Sequence, residues 1–137
     1  MGRILAIDYG KKNVGLAVTD PLQISSRILP FQVETKIKGW LLEYFNLEKV
    51  VTIVIGYPEH KDGGLTDLTK DIDLLIIHIN KLNSDIKIVL SEESFTTQEA
   101  MKLMIKDGLS KKKRREKGLI DSYSALVILE DYLRIIE

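Results

Sequence analysis

The run Val50-Val51-Thr52-Ile53-Val54-Ile55 constrains this chain more than any other segment, because six consecutive residues are β-branched. A strand with one wet face alternates apolar and polar residues, and a surface helix repeats its apolar positions every three or four. This run does neither. It fits a strand buried on both faces, as in a parallel sheet covered by helices.

The neighbouring segments extend that reading. Arg3 to Asp8 and Asn13 to Thr19 are short apolar runs on either side of Tyr9-Gly10-Lys11-Lys12, which predicts two antiparallel strands joined by a turn. A third strand is expected from Ser25 to Val33, bent near Pro30. Thr35 stands where it can cap a helix running to Asn46, with Ile37, Leu41, Leu42 and Phe45 on one stripe, and Gly56-Tyr57-Pro58 is expected to end the buried strand. Asp62-Gly63-Gly64 reads as loop. Leu68, Ile72, Leu75, Ile76, Ile79 and Leu82 then recur at helical spacing, Ile86 to Leu90 reads as a strand, and Thr97 opens a helix that Gly108 ends. Ser110 to Gly118 reads as a mobile basic loop, and Leu119 to Ile136 as a final amphipathic helix. This order predicts one domain over residues 1–137. Its core is an α/β arrangement: a mixed five-stranded sheet, antiparallel over the first three strands and then parallel, flanked by helices.

A chain of 137 residues can bury one core, and the absence of cysteine excludes disulfides, thiolate zinc sites and thiol nucleophiles. No apolar run approaches the roughly 20 residues of a bilayer span, and the first apolar run is too short for a secretory signal. A cytoplasmic protein with no membrane partner is expected. Formal net charge is zero, yet Lys102, Lys106, Lys111, Lys112, Lys113, Arg114, Arg115 and Lys117 face only Asp107 and Glu116 in one stretch. Lys111, Lys112, Lys113, Arg114 and Arg115, with Lys11 and Lys12, are the candidate contacts to a phosphate backbone.

Three acidic positions carry the candidate chemistry. Asp8 ends a strand face whose other members, Ile4 and Ala6, are apolar. Glu92-Glu93 follows the strand at Ile86 to Leu90, at the carboxyl end where open α/β sheets place ligands. Asp121 precedes Ala125, Ile128, Leu129 and Tyr132 by four, seven, eight and eleven, which puts a carboxylate on the stripe that should face the sheet. Clustered carboxylates repel unless cations hold them, and an oxygen-only donor set suits Mg²⁺ or Mn²⁺. Two such ions about 3.5–4 Å apart support in-line displacement at a phosphodiester. His60 and His78 read as structural or surface residues. Tyr9, Tyr57 and Phe95 could stack bases near the site, but aromatic residues this sparse more often serve packing.

Four ordered blocks also resemble one family over essentially the whole chain. They are Asp8-Tyr9-Gly10-Lys11-Lys12-Asn13-Val14-Gly15-Leu16-Ala17-Val18-Thr19-Asp20, Val54-Ile55-Gly56-Tyr57-Pro58 with Asp62-Gly63, Glu92-Glu93-Ser94-Phe95-Thr96-Thr97, and Ile120-Asp121-Ser122-Tyr123-Ser124-Ala125 with Ile128-Leu129. Together they resemble the YqgF family of Holliday-junction-resolvase-like proteins and pre-16S rRNA nucleases. The resemblance implies an RNase H-like fold, divalent-metal phosphodiesterase activity with Mg²⁺ or Mn²⁺, and a role at the 5′ end of 16S rRNA. It also places the catalytic and metal-binding acids on Asp8, Glu93 and Asp121; as a hypothesis about their roles, Asp8 is assigned to bridge both metals with the other two on either side. The sequence departs from the family at Asn13 and Ser94, where arginine is usual.

The expected function is therefore a nuclease acting on structured nucleic acid, most of all on precursor rRNA. The alternatives are a Holliday-junction-type DNA resolvase, and a nucleic-acid-binding or transcription-associated factor that keeps the fold without the chemistry. Resolving a four-way junction takes two sites on opposite strands and hence a homodimer; trimming a precursor RNA takes one.

Overall fold

The computed structural model describes residues 1–58, 66–93 and 96–137, without the side chains of Thr66 and Glu93. The expected loop at Asp62-Gly63-Gly64 lies outside these residues, as does His60. The described chain forms strands β1 (Arg3–Tyr9), β2 (Asn13–Thr19) and β3 (Ser26–Val33), a 3₁₀ turn (Glu34–Lys36), helix α1 (Ile37–Leu47) and strand β4 (Val50–Pro58). Helix α2 (Thr66–Leu82), strand β5 (Lys87–Glu93) and helices α3 (Thr96–Lys106), α4 (Lys111–Arg114) and α5 (Leu119–Ile136) follow. The strands form one sheet in the order β3-β2-β1-β4-β5. β1 pairs antiparallel with β2 and parallel with β4, β2 antiparallel with β3, and β4 parallel with β5. This is the mixed five-stranded sheet expected from the sequence.

The two-residue period divides the sheet between two apolar layers. Leu5, Ile7, Val14, Leu16, Ile53 and Ile55 pack with Ile37, Leu41, Ile72 and Ile79 of α1 and α2. Ile4, Ala6, Ala17 and Val54 pack on the other face with α3 and α5 through Ala100, Met104, Ala125 and Leu129. The β-branched run of β4 feeds both layers, as a strand covered on two sides must. Among the described residues no helix is long and apolar enough to cross a membrane.

Several local expectations change. Thr35 does not cap α1; it lies inside the 3₁₀ turn, which has no side-chain cap. Gly56-Tyr57-Pro58 continues β4 instead of ending it. The pairing with β1 stops at Ile7↔Ile55, so the missing amide of Pro58 interrupts no bond on that side. β5 likewise runs past Leu90 to Glu93, in register with β4 through Pro58↔Glu93. α3 starts at Thr96, and Gly108 follows it with φ +83°. The basic stretch is not a loop throughout, because Lys111–Arg114 forms a helical turn whose Lys113 amide donates to Ser110 Oγ at 3.1 Å. α5 is more than amphipathic: Ser122 to Leu129 are all buried.

Candidate functional site

Sheet and helix converge at the carboxyl end of β1. Asp8, the penultimate residue of that strand, stands opposite Gly15 in the β1–β2 ladder, on the face that carries Ile4, Ala6 and Ala17. A Cβ at Gly15 would overlap the Asp121 carbonyl and approach the Ser122 nitrogen to 2.9 Å. Glycine at 15 thus lets the first turn of α5 touch the sheet beside Asp8. Asn13, two residues earlier on the same face of β2, hydrogen-bonds the Asp121 side chain. Burial pushes the Asp121 carboxyl above the usual range, and the Asn13 bond offsets part of that rise.

The start of α5 is pinned from three directions. Gly118 caps it with φ +77°, a conformation that L side chains rarely adopt, and lies so close under the Phe31 ring that a Cβ would overlap it. The Ser122 hydroxyl donates to the Leu29 carbonyl at 2.9 Å. The Tyr123 hydroxyl donates to Asp107 Oδ2 at 2.9 Å; burial, aided by that carboxylate, pushes the phenol up to about 12.

Glu92 and Glu93 occupy successive positions of β5 instead of a loop beyond it. Val89 packs in the α3/α5 layer and Ile88 in the α1/α2 layer. The period of two puts position 93 in the series of Val89 and Glu92 in the series of Ile88. Glu92 is exposed. The Glu93 side chain, Ser94 and Phe95 lie outside the described residues. Among the described residues, no three His, Cys, Asp or Glu side chains are grouped closely enough to hold a metal ion.

The cationic candidates separate into engaged and available groups. Lys11 pairs loosely with Asp67 at 3.8 Å, both largely exposed, an arrangement that contributes little to stability. Lys113 pairs with Glu116 at 3.0 Å, and Arg114 Nη1 donates to the Leu109 carbonyl at 2.9 Å. Lys12, Lys111, Lys112 and Arg115 are exposed. Tyr9 is buried and its hydroxyl donates to Glu34 Oε2 at 2.5 Å, so it packs and does not stack bases. Burial and Glu34 push that phenol up. Tyr57 hydrogen-bonds Asp73 at 3.4 Å, and His78 is half-buried in α2.

In the sequence Gly15 stands out only as part of a family block, and Asn13 only as a departure from it. A glycine inside a strand is a sign of close backbone approach, so Gly15 was findable.

Residues 2–135 match the RuvX family model, described as Holliday junction resolvase. A Flavobacterium johnsoniae protein named "Putative pre-16S rRNA nuclease" is 41% identical over 97% of this chain and 96% of its own. A Flavobacterium psychrophilum protein of the same name is 40% identical over 97% of each chain. Among solved structures, T. thermophilus RuvC in complex with Holliday junction substrate has a similar fold. Its TM-score is 0.63 at 15% identity, covering 99% of this chain and 96% of that one.

Proposed function

The chain belongs to the RuvX (YqgF) family, and from that premise we propose that it is a metal-dependent nuclease. It hydrolyses phosphodiester bonds of structured nucleic acid and processes the 5′ end of pre-16S rRNA during ribosome biogenesis in the cytoplasm. The observation that carries this reading is the approach of the Asp121 backbone to Gly15, directly opposite Asp8, which brings two acidic residues to one strand end. The relatives' name supplies the substrate.

Asp8, Glu93 and Asp121 are the proposed ligands of Mg²⁺ or Mn²⁺. The donors fit the ions: carboxylate oxygens suit hard cations, and a partly buried Asp121 gains from a neutralising charge. Bound ions would activate water and stabilise the leaving oxygen. The chain's own residues set the geometry. Asp8 sits at the carboxyl end of β1, the central strand of the sheet, Asp121 is fixed by the close contact of α5 with β2, and Asn13 orients the Asp121 carboxylate. Strand register favours Glu93 over Glu92 as the third ligand, because position 93 shares the pleat series of the α5 face.

The family's description favours a second reading, resolution of four-way DNA junctions by a homodimer. Incubation with 5′-extended 16S precursor and a synthetic junction side by side, in Mg²⁺ and in Mn²⁺, separates the readings. Cleavage of the precursor is expected. Cleavage of the junction alone moves the assignment to the resolvase, and cleavage of neither, with binding retained, leaves a factor without the chemistry.

A further inference from the structure

Two cavities near the start of α5 share Lys117. One, of about 320 Å³, is lined by Lys11, Lys12, Asn13, Glu34 and Lys117. The other, of about 380 Å³, is lined by Pro30, Phe31, Lys117 and Leu119 among others. Asn13 links the first cavity to the candidate site through its bond to Asp121. The backbone bond from the Glu34 amide to the Lys12 carbonyl, 2.8 Å, fixes the β1–β2 turn against the end of β3.

The carboxylates here are already engaged: Glu34 accepts from the Tyr9 hydroxyl and Glu116 pairs with Lys113. Lys12 and Lys117 are exposed and have no ion pair among the described residues. Phe31 is partly exposed beside Lys117, and Pro30 before it is exposed. Two available ammonium groups along these cavities, one of them beside an aromatic shelf, match a single-stranded segment whose phosphates take the charges and one of whose bases takes the ring.

We infer that Lys12 and Lys117 bind successive phosphates of a single-stranded segment leading from the site, and that the Pro30-Phe31 shelf stacks one of its bases. This rests on the nuclease reading for its direction, but its test does not need cleavage. Fluorescence anisotropy with a labelled single-stranded RNA 12-mer, in EDTA, reads affinity against salt for the full chain. Changing Lys12 and Lys117 together to Ala should weaken binding about tenfold and reduce the log–log salt slope by about 1.4, at roughly 0.7 per phosphate. The equally charged change of Lys102 and Lys106 to Ala should leave the slope unaltered.

Phe31→Leu keeps an apolar side chain over Gly118 and should weaken binding about fivefold or more, an effect absent with an abasic oligomer. No binding by the unaltered chain at low salt, equal losses for both lysine pairs, or equal losses by Phe31→Leu on both probes overturns the inference. Cleavage with affinity indifferent to Lys12 and Lys117 sinks this path and keeps the nuclease. Lysine-dependent binding without cleavage in any metal does the reverse.

Discussion

Gly15→Ala tests the contact on which the site is built. Restoring an ordinary separation of about 3.5 Å requires roughly 0.6 Å of movement at the Ser122 nitrogen, which a Cβ would meet at 2.9 Å. The overlapped Asp121 carbonyl needs more than twice that. The first turn of α5 must therefore retreat by more than about 1 Å, carrying Asp121 with it, whereas catalytic groups tolerate about 0.5 Å. Overpacking of this kind costs about 1–3 kcal/mol, and a misplacement near 1 Å lowers turnover about a hundredfold. Thermal unfolding and single-turnover cleavage measure the two effects. Gly39→Ala is the matched control: Gly39 lies exposed in α1, nothing stands within 4 Å of its added Cβ, and Ala should stabilise by about 0.5–1 kcal/mol without affecting cleavage. A Gly15→Ala chain with parental stability and turnover would refute the close approach.

Asp121→Asn should stabilise the metal-free protein at about pH 7.5. Burial raises the folded carboxyl, so the folded chain holds that proton more tightly; the benefit exists below the unfolded value and is lost as pH rises through the folded one. The variant's advantage should close below about pH 4 and reverse when Mg²⁺ stabilises only the parent, both read by thermal melts. Tyr123→Phe removes the bond to Asp107 and should cost about 1 kcal/mol, seen as a lower midpoint in urea. Because the folded phenol is raised, that difference should hold below about pH 10 and fade as pH rises toward about 12.

Much of the architecture was legible because periodicity reports burial. The β-branched run of β4, the hairpin around Gly10 and the bounds Leu119–Ile136 of α5 all follow from it. Asp121 stood out as a charge on an apolar stripe, and it is partly buried with a raised carboxyl. The polar ends of β4 and β5 were not legible, since pairing between Pro58 and Glu93 maintains them without any apolar signal. The turn of α4 was hidden by its charge, although lysine and arginine are good helix formers and Ser110 caps it. The bond between Asn13 and Asp121, and the sharing of Lys117 by two cavities, depend on tertiary approach. No local pattern encodes either.

The central claim is the identity of the three ligands, and single-turnover cleavage in Mn²⁺ by four single variants tests it most directly. Asp8→Asn, Glu93→Gln and Asp121→Asn should each lose at least about a hundredfold in rate while binding substrate as the parent does, and Glu92→Gln should cleave at the parental rate. Activity retained in Asp8→Asn, or lost in Glu92→Gln and kept in Glu93→Gln, contradicts the assignment.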